Sequence, residues 1–341
     1  MSTIIVKSKP KLWLGAFVGF YRPGLEEVRC LDPVSKFLYS ARSVILVISA
    51  QAAVIAALLA LGDRQFHWLE TVMILTGFVA AHMLSNLSND YFGYRRGHDT
   101  PESPRMRYTV HPLASGVLDA RVLVTGLAIL AIIGAGTCAF FIVERGWPAA
   151  AFAAAGIALL LLYDAAPIPL KSIGLGELAV FLVWGPLMVG GGYAMIAGRV
   201  SPEAFYVSIP YGLGVMSILV GKHIDQIEFD ARMGIRTLPV LLGERNARML
   251  NAAAIVLMYV VSAALIASGR LTPFAAVIAF ALLRGTRAVS VMSRPRPAAP
   301  PEGYVGWPLW YHRVCLLHER AFGGFYILGL AIGAVWPAVR L

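Results

Sequence analysis

Two polar stretches interrupt an otherwise apolar chain, and each gathers acids, amides and basic side chains within a few helical turns. The first is Asn86-Leu-Ser-Asn-Asp-Tyr-Phe-Gly-Tyr-Arg-Arg-Gly-His-Asp99, which ends one apolar run. The second, Lys222-His-Ile-Asp-Gln-Ile-Glu-Phe-Asp230, ends another run far downstream and continues through Ala-Arg-Met-Gly-Ile-Arg-Thr-Leu-Pro239. On a helix, Asn86, Asn89, Asp90 and Gly93 share one face at three- and four-residue spacing. In the second stretch Asp225 and Glu228 are three apart and Gln226 and Asp230 four apart, so several acids are expected to point into a common volume. Carboxylates crowded in this way raise one another's pKa and destabilise a helix end unless a cation sits among them. Magnesium suits such a place, because it takes carboxylate oxygen, keeps several waters and completes its shell with substrate phosphate oxygens. A polar cap in water, the bland alternative, has no need of two amides beside an acid.

The chemistry expected of such a pair of clusters is ionisation of a diphosphate ester. Asp90, Asp225, Glu228 and Asp230 supply carboxylate for magnesium. Asn86, Arg95, Arg96, Lys222, Arg232 and Arg236 are placed to hold the diphosphate, whose charge grows as its bond to carbon breaks. Lys171, the one basic residue in Tyr163-Asp-Ala-Ala-Pro-Ile-Pro-Leu-Lys171, either reaches toward a phosphate or marks topology. Arg42, at the entrance of the first apolar run, either reaches inward to an anion or anchors the run. The carbon left behind becomes cation-like, so an adjoining apolar cavity should exclude water and offer ring faces, with Tyr91, Phe92, Tyr94 and Tyr163 as candidates. His82 reads as a hydrogen-bonded interior residue. Glu177 reads as a partner of the N-terminal dipole of the helix it begins.

The elements that carry these residues must lie in a membrane. Of 341 residues 58% are hydrophobic and 14% charged, and the mean hydropathy is +0.70, which excludes an ordinary water-soluble fold. Continuous runs such as Val44 to Leu61 lack the alternation of a barrel strand, so the expected class is all-α, a polytopic membrane protein. About nine helices of roughly 20 residues each account for over half the chain. The expected spans are Val44–Leu61, one starting near Thr71, Val122–Val143, Pro148–Tyr163, one starting at Glu177, Ala204–Val220, Leu250–Ala267, Thr272–Met292 and Phe322–Val339. Residues 1–41 form a cytoplasmic or interfacial segment, in which Leu12–Tyr21 reads as an amphipathic helix on the membrane surface, and 42–341 form one transmembrane domain. The prolines of Thr100-Pro-Glu-Ser-Pro-Arg-Met-Arg107 argue against regular helix there. Gly185, Gly190, Gly191 and Gly192 permit close helix contact.

A net charge of +10 invites nucleic acid, but its distribution does not. Only Arg64, Arg145, Arg199, Arg270 and Arg340 fall in segments placed on the outer side. The other basic residues put the N-terminus and both polar clusters on the cytoplasmic side, with anionic lipid and an anionic substrate as the partners of that charge. Cys30, Cys138 and Cys315 are too scattered for a disulfide framework or thiolate metal site. His312 and His318 lack metal-ligand spacing.

Three blocks in order resemble the UbiA superfamily of intramembrane prenyltransferases, and within it the branch that prenylates dihydroxynaphthoate in menaquinone synthesis. They are Asn86–Asp99, Gly174-Leu-Gly-Glu-Leu178 running to Gly185-Pro186-Leu187, and Asp230-Ala-Arg-Met-Gly-Ile-Arg-Thr-Leu-Pro-Val-Leu-Leu-Gly243. The resemblance implies nine transmembrane helices around a central cavity, magnesium as cofactor, and transfer of an isoprenoid chain from its diphosphate to an aromatic, quinone-precursor-like or lipid acceptor. A bacterial inner membrane is the implied location. Asn89, Asp90, Asp99 and Asp230 match metal and diphosphate positions, and Arg95, Arg96 and Arg236 match the basic partners. The chain departs from the pattern at Gly93, where the second acid of the first motif usually stands, and at Gln226, where the second motif usually leads with an acid. Gly221, Lys222, His223 and Ile224 replace the usual asparagines and arginine. A terpene cyclase of the same architecture would ionise the same diphosphate. A transporter or lipid-binding protein would instead favour acids midway along its helices or inverted repeats of broken helices.

Overall fold

In a bilayer, a long apolar segment can satisfy its own backbone only as a helix. The computed structural model describes residues 9–18, 23–304 and 306–336, and among these there is no strand. Nine of the described helices are long and apolar enough to cross a membrane. They are α1 (Ser43–Gly62), α2 (Trp68–Arg95), α3 (Ala120–Arg145), α4 (Trp147–Asp164), α5 (Gly176–Ala197), α6 (Pro202–Asp225), α7 (Glu244–Ala267), α8 (Pro273–Met292) and α9 (Tyr311–Val335). The chain is thus an integral, multi-span membrane protein.

Each helix touches the next, and α9 closes the ring against α1. Inside the ring α1 also touches α5, and α6 touches α9. Burial separates the layers: 72% of the apolar window of α6 is inside the protein, against 11% for α3 and for α4. The inner contact between α5 and α6 depends on small residues. A Cβ added to Gly185 would stand 3.2 Å from the Ser208 carbonyl oxygen and 3.3 Å from Gly212 Cα, so the two backbones meet where neither carries bulk. Pro186 withholds an amide from this part of α5, and the turns from Val183 to Gly191 widen to π-helix.

Several helices outrun the apolar pattern, because polar residues at a membrane face hide the last turns of a span. Helix α2 keeps the whole run from Asn86 to Arg95 helical, and α6 continues through Asp225. The largest difference is α9, expected from Phe322 but beginning at Tyr311. Its polar first turns contain His312, Arg313, His318 and Glu319. Val339 and Arg340 lie outside the described residues. In the loop expected to lack helix, Pro104–Tyr108 forms one short helix with the proline at its start, where a missing N–H costs nothing. Ahead of the spans, Lys9–Val18 is helical, with Leu12 buried and the Trp13 indole donating to Ser35 Oγ at 2.8 Å. Residues 19–21 of the expected amphipathic patch lie outside the described residues.

Candidate active site

The end of α2 and the chain following α6 meet around one polar pocket. Asn89, Asp90 and Asp99 from the first stretch line it together with Lys222, Gln226 and Asp230 from the second. Arg42 joins them from the residue preceding α1, and Lys171 from the loop after α4. Directly beside this pocket opens a cavity of about 730 Å³, walled mostly by aliphatic and aromatic side chains of α1 to α6 and α9. Arg42, Asn89, Tyr108, Tyr163 and Lys222 line both spaces and so mark their junction.

Asp230 sits on a short helix, Ile227–Arg232, that follows a break at Gln226. It is 5% exposed, and its Oδ2 has no hydrogen-bond partner. Burial first of all holds its carboxyl above the usual range, opposed by the charges of His223, Lys222 and Lys171. A buried carboxylate oxygen left open among cations is suited to a metal ion or to a proton.

Asp90 is placed differently. Arg105 donates to both of its oxygens, at 3.0 and 2.8 Å, and Arg42 contacts Oδ1 as well. Burial works to depress the Arg105 guanidinium, but the Asp90 carboxylate more than offsets it and the group stays charged. Asp90 therefore anchors two arginines at the pocket wall, leaving Arg42 Nε without a partner.

Asp99 returns to α2 after a turn at Gly97, whose φ is +71°. Its carboxylate lies against Gly93, filling the space a Cβ there would need. His111, fully buried, faces the same carboxylate with Nε2 3.2 Å from Asp99 Oδ2. Its Nδ1 accepts from the amides of Leu113 and Ala114, so a neutral imidazole carries its proton on Nε2, toward Asp99. His98, also in the pocket, is held below its ordinary pKa by burial first, then by Lys171 and Arg96.

Lys171 donates to Asn89 Oδ1 at 2.9 Å and pairs with Asp164 at the end of α4. His223, in the same pocket lining, has its Nδ1 2.6 Å from Glu177 Oε1, and both residues are buried. Glu177 begins α5 as expected, but its partner is a side chain of α6 rather than the helix dipole alone.

Other expected site residues are elsewhere. Asp225 accepts from the backbone amides of Tyr311, at 3.1 Å, and His312, at 2.9 Å, so it caps the start of α9. Glu228 is exposed, because the break at Gln226 turns it away from the face that carries Asp225. Arg95, Arg232 and Arg236 are also exposed and outside the pocket lining. Arg96 donates to the carbonyls of Asp164 and Ala166, tying α2 to α4. Asn86 donates to the Ala41 carbonyl and lines the apolar cavity. Tyr91 stacks edge-on against Phe92, and Tyr94 is exposed above His111; neither they nor Phe92 line the cavity. Of the expected aromatics only Tyr163 does. His82 is interior, with Nδ1 2.8 Å from Ser49 Oγ, as expected.

Arg105, His111 and Tyr108 were not anticipated. Only the basic Pro-Arg-Met-Arg sequence after the first motif hinted at them. Among the described residues, no three His, Cys, Asp or Glu side chains gather closely enough to hold a metal alone. Magnesium does not require that, since one or two carboxylates plus substrate phosphate and water complete its shell. Asp230, Asp99 and Asn89 line the same pocket and are the oxygen-bearing side chains that would hold it, and Oδ2 of Asp230 has no hydrogen-bond partner.

Residues 50–312 match the model of the UbiA prenyltransferase family. The chain is 30% identical over 240 residues to UbiA prenyltransferase domain-containing protein 1 of Dictyostelium discoideum, covering 67% of this chain and 71% of the relative. It is 26% identical to the 1,4-dihydroxy-2-naphthoate octaprenyltransferase of Bacillus subtilis (strain 168), over 73% and 76% of the two chains. Among solved structures, a UbiA homolog from Aeropyrum pernix K1 superposes with a TM-score of 0.62 at 17% identity, covering 83% of this chain and 97% of that one. A UbiA homolog from Archaeoglobus fulgidus bound to GPP and Mg2+ gives 0.56 at 14% identity, over 87% and 99%.

Proposed function

We propose, for a chain that belongs to the UbiA prenyltransferase family, that it transfers an isoprenoid chain from a prenyl diphosphate to an aromatic, quinone-precursor-like acceptor, with magnesium assisting. Its fold and family make it an intramembrane prenyltransferase; the acceptor and the metal are the finer reading. One observation carries that reading: Asn89, Asp99 and Asp230, from two distant stretches, line one polar pocket that adjoins an apolar cavity. The named activity of the Bacillus subtilis relative supports dihydroxynaphthoate as the class of acceptor, and the ligands of the Archaeoglobus fulgidus structure support the donor and the metal.

Asp230, Asp99 and Asn89 would hold magnesium, which on binding neutralises the diphosphate and eases its departure. Lys222 and Arg42, at the junction of the two spaces, are placed to take up charge growing on the leaving oxygen. Lys171 reaches the same pocket and holds Asn89 in orientation. Asp90 holds Arg42 and Arg105 in place. On the other side of the scissile bond, Tyr163 and Tyr108 present rings to the developing allylic cation, and the apolar walls keep water from capturing it. The basic excess of the loops supports a cytoplasmic pocket in a bacterial inner membrane.

The decisive experiment incubates the purified protein with magnesium, a prenyl diphosphate and 1,4-dihydroxy-2-naphthoate. The expected result is an acceptor in which the prenyl group has replaced a ring hydrogen or the carboxyl group, a proton or carbon dioxide leaving with it, and one diphosphate released per prenyl group transferred. Hydrocarbon formed without acceptor, or no diphosphate release at all, would overturn the reading.

A further inference from the structure

A hydroxylated aromatic ring attacks an allylic carbon faster once its O–H proton is taken, so a prenyl acceptor gains from a base beside it. The apolar cavity offers few. Among its described lining residues there is no Asp or Glu, and the carboxylates of the site lie in the adjoining polar pocket. With Lys222 facing the diphosphate as a cation, two imidazoles remain in the lining, His82 and His312. His82 stands eight residues before Asp90 on α2, roughly 12 Å further from the polar end at 1.5 Å per residue. His312 is the second residue of α9 and lies at that end.

Three residues of α6 fix where His312 sits. A Cβ on Gly221 would come 3.0 Å from the His312 amide nitrogen and 2.9 Å from the Tyr311 carbonyl carbon, so glycine lets the first turn of α9 lie directly on α6. Asp225 accepts from the amides of Tyr311 and His312. The Ile218 carbonyl lies 3.2 Å from His312 Nδ1. A carbonyl only accepts, so Nδ1 carries the hydrogen and the neutral ring keeps its lone pair on Nε2. Among the described residues Nε2 has no such partner. The side chain is half-buried and lines the cavity, within electrostatic reach of Lys222 and Arg42 at the junction.

We propose that His312 Nε2 is the base that takes the hydroxyl proton of the aromatic acceptor, with Ile218, Gly221 and Asp225 holding the ring in position. As the O–H bond breaks, its electron pair moves into the acceptor ring, and a ring carbon bonds to the allylic carbon. The bond from that carbon to the diphosphate oxygen breaks, and its pair leaves with the diphosphate. The substituted ring carbon then gives up carbon dioxide, or its hydrogen as a proton to the departing diphosphate. The imidazolium returns its proton to the ring oxygen, which restores the aromatic ring and the neutral base together. Acid and base work are thereby kept apart: the carboxylates of the polar pocket serve the metal, and the imidazole serves the acceptor. The inference rests on the prenyltransferase reading above.

The test compares the parent with two variants in phospholipid vesicles containing magnesium, geranyl diphosphate and 1,4-dihydroxy-2-naphthoate. His312→Asn keeps an N–H for the Ile218 carbonyl and removes only the outer nitrogen; His312→Ala removes the ring. In both, kcat is expected to fall about 10²-fold or more, the usual worth of a general base, while the affinity for a non-hydrolysable geranyl diphosphate analogue with magnesium stays at the parent's value. Imidazoles added to His312→Ala should restore turnover in proportion to their basicity, a response that a purely structural histidine would not give. Three results would overturn the assignment: parental kcat in His312→Asn, turnover lost only in step with donor binding, or lost turnover that no imidazole restores. A parent protein that transfers no prenyl group would sink the prenyltransferase reading instead.

Discussion

The Asp99 carboxylate occupies the space beside Gly93 where any other residue would place its Cβ. A glycine at the position where the family usually carries its second acid is thus joined to an acid arriving from beyond the helix. Gly93→Ala is expected to push the Asp99 carboxylate out of the pocket. A misplacement of about 1 Å can cost 10²-fold in turnover, whereas overpacking costs roughly 1–3 kcal/mol in stability. Diphosphate release, measured beside a thermal melt, checks this. Gly93→Asp should fail too, although it restores the family's acid, because Asp99 already fills the site.

Asp230→Asn should separate stability from function. Its Oδ2 is buried without a hydrogen-bond partner, so the variant is expected to melt no lower than the parent. Turnover should still fall by at least about a hundredfold, beyond the 10- to 100-fold typical of outer-shell changes around a metal. Equal turnover in the two proteins would remove Asp230 from the chemistry.

The same residue predicts a pH dependence. Burial raises the Asp230 pKa above its ordinary value of 3.8, so the folded chain holds this proton more tightly than the unfolded chain. Metal-free stability should therefore fall as pH rises from 3.8 toward the raised value, and stay level above it. Magnesium needs the ionised form, so its affinity moves the opposite way and weakens as pH drops through that window. Isothermal titration with Mg2+ and a diphosphate analogue at stepped pH should show proton release on binding, and Asp230→Asn should abolish it.

Asp225 was expected to face the metal and instead holds the first amides of α9. Asp225→Ala should lower stability by about 0.5–2 kcal/mol, the usual loss of an N-terminal cap. The magnesium concentration for half-maximal turnover should not move. A shift in that concentration without a loss of stability would return Asp225 to the pocket.

These cases show what was legible in the sequence. Continuous apolar runs gave the spans, since backbone in lipid has no alternative to helix, and the density of amides and acids marked the ends of α2 and α6. Spacing could not say which acids face inward. Asp225 and Glu228 obey a three-residue interval, but the chain breaks at Gln226 between them, and a helical face does not survive such a break. Arg105 and His111 escaped notice for a related reason: Arg105 lines the pocket from a single helical turn and His111 meets Asp99 from the chain beyond it, too short a stretch for periodicity to relate sequence position to direction. The start of α9 was missed because its buried His318 and Glu319 resemble loop residues when only composition is read.

The Asp90–Arg105 pair offers a test of how the first motif acts. Both partners are buried, and both oxygens of the carboxylate are engaged by the guanidinium. Removing one member strands a charge, which typically costs 3–5 kcal/mol, whereas replacing both by apolar side chains is often close to neutral. Arg105→Met alone should thus be destabilised, with Arg42 left as the one arginine on Asp90, and Asp90→Leu combined with Arg105→Met should recover part of the loss, since Arg42 then loses its partner too. If Asp90 acts by keeping Arg42 at the junction, the recovered double variant will fold but bind the donor weakly, with KM for the prenyl diphosphate raised more than kcat is lowered. Measuring melting temperature and kinetics on the same three proteins decides it. A double variant with parental KM would show the pair to be structural, and Arg42 to need no anchor.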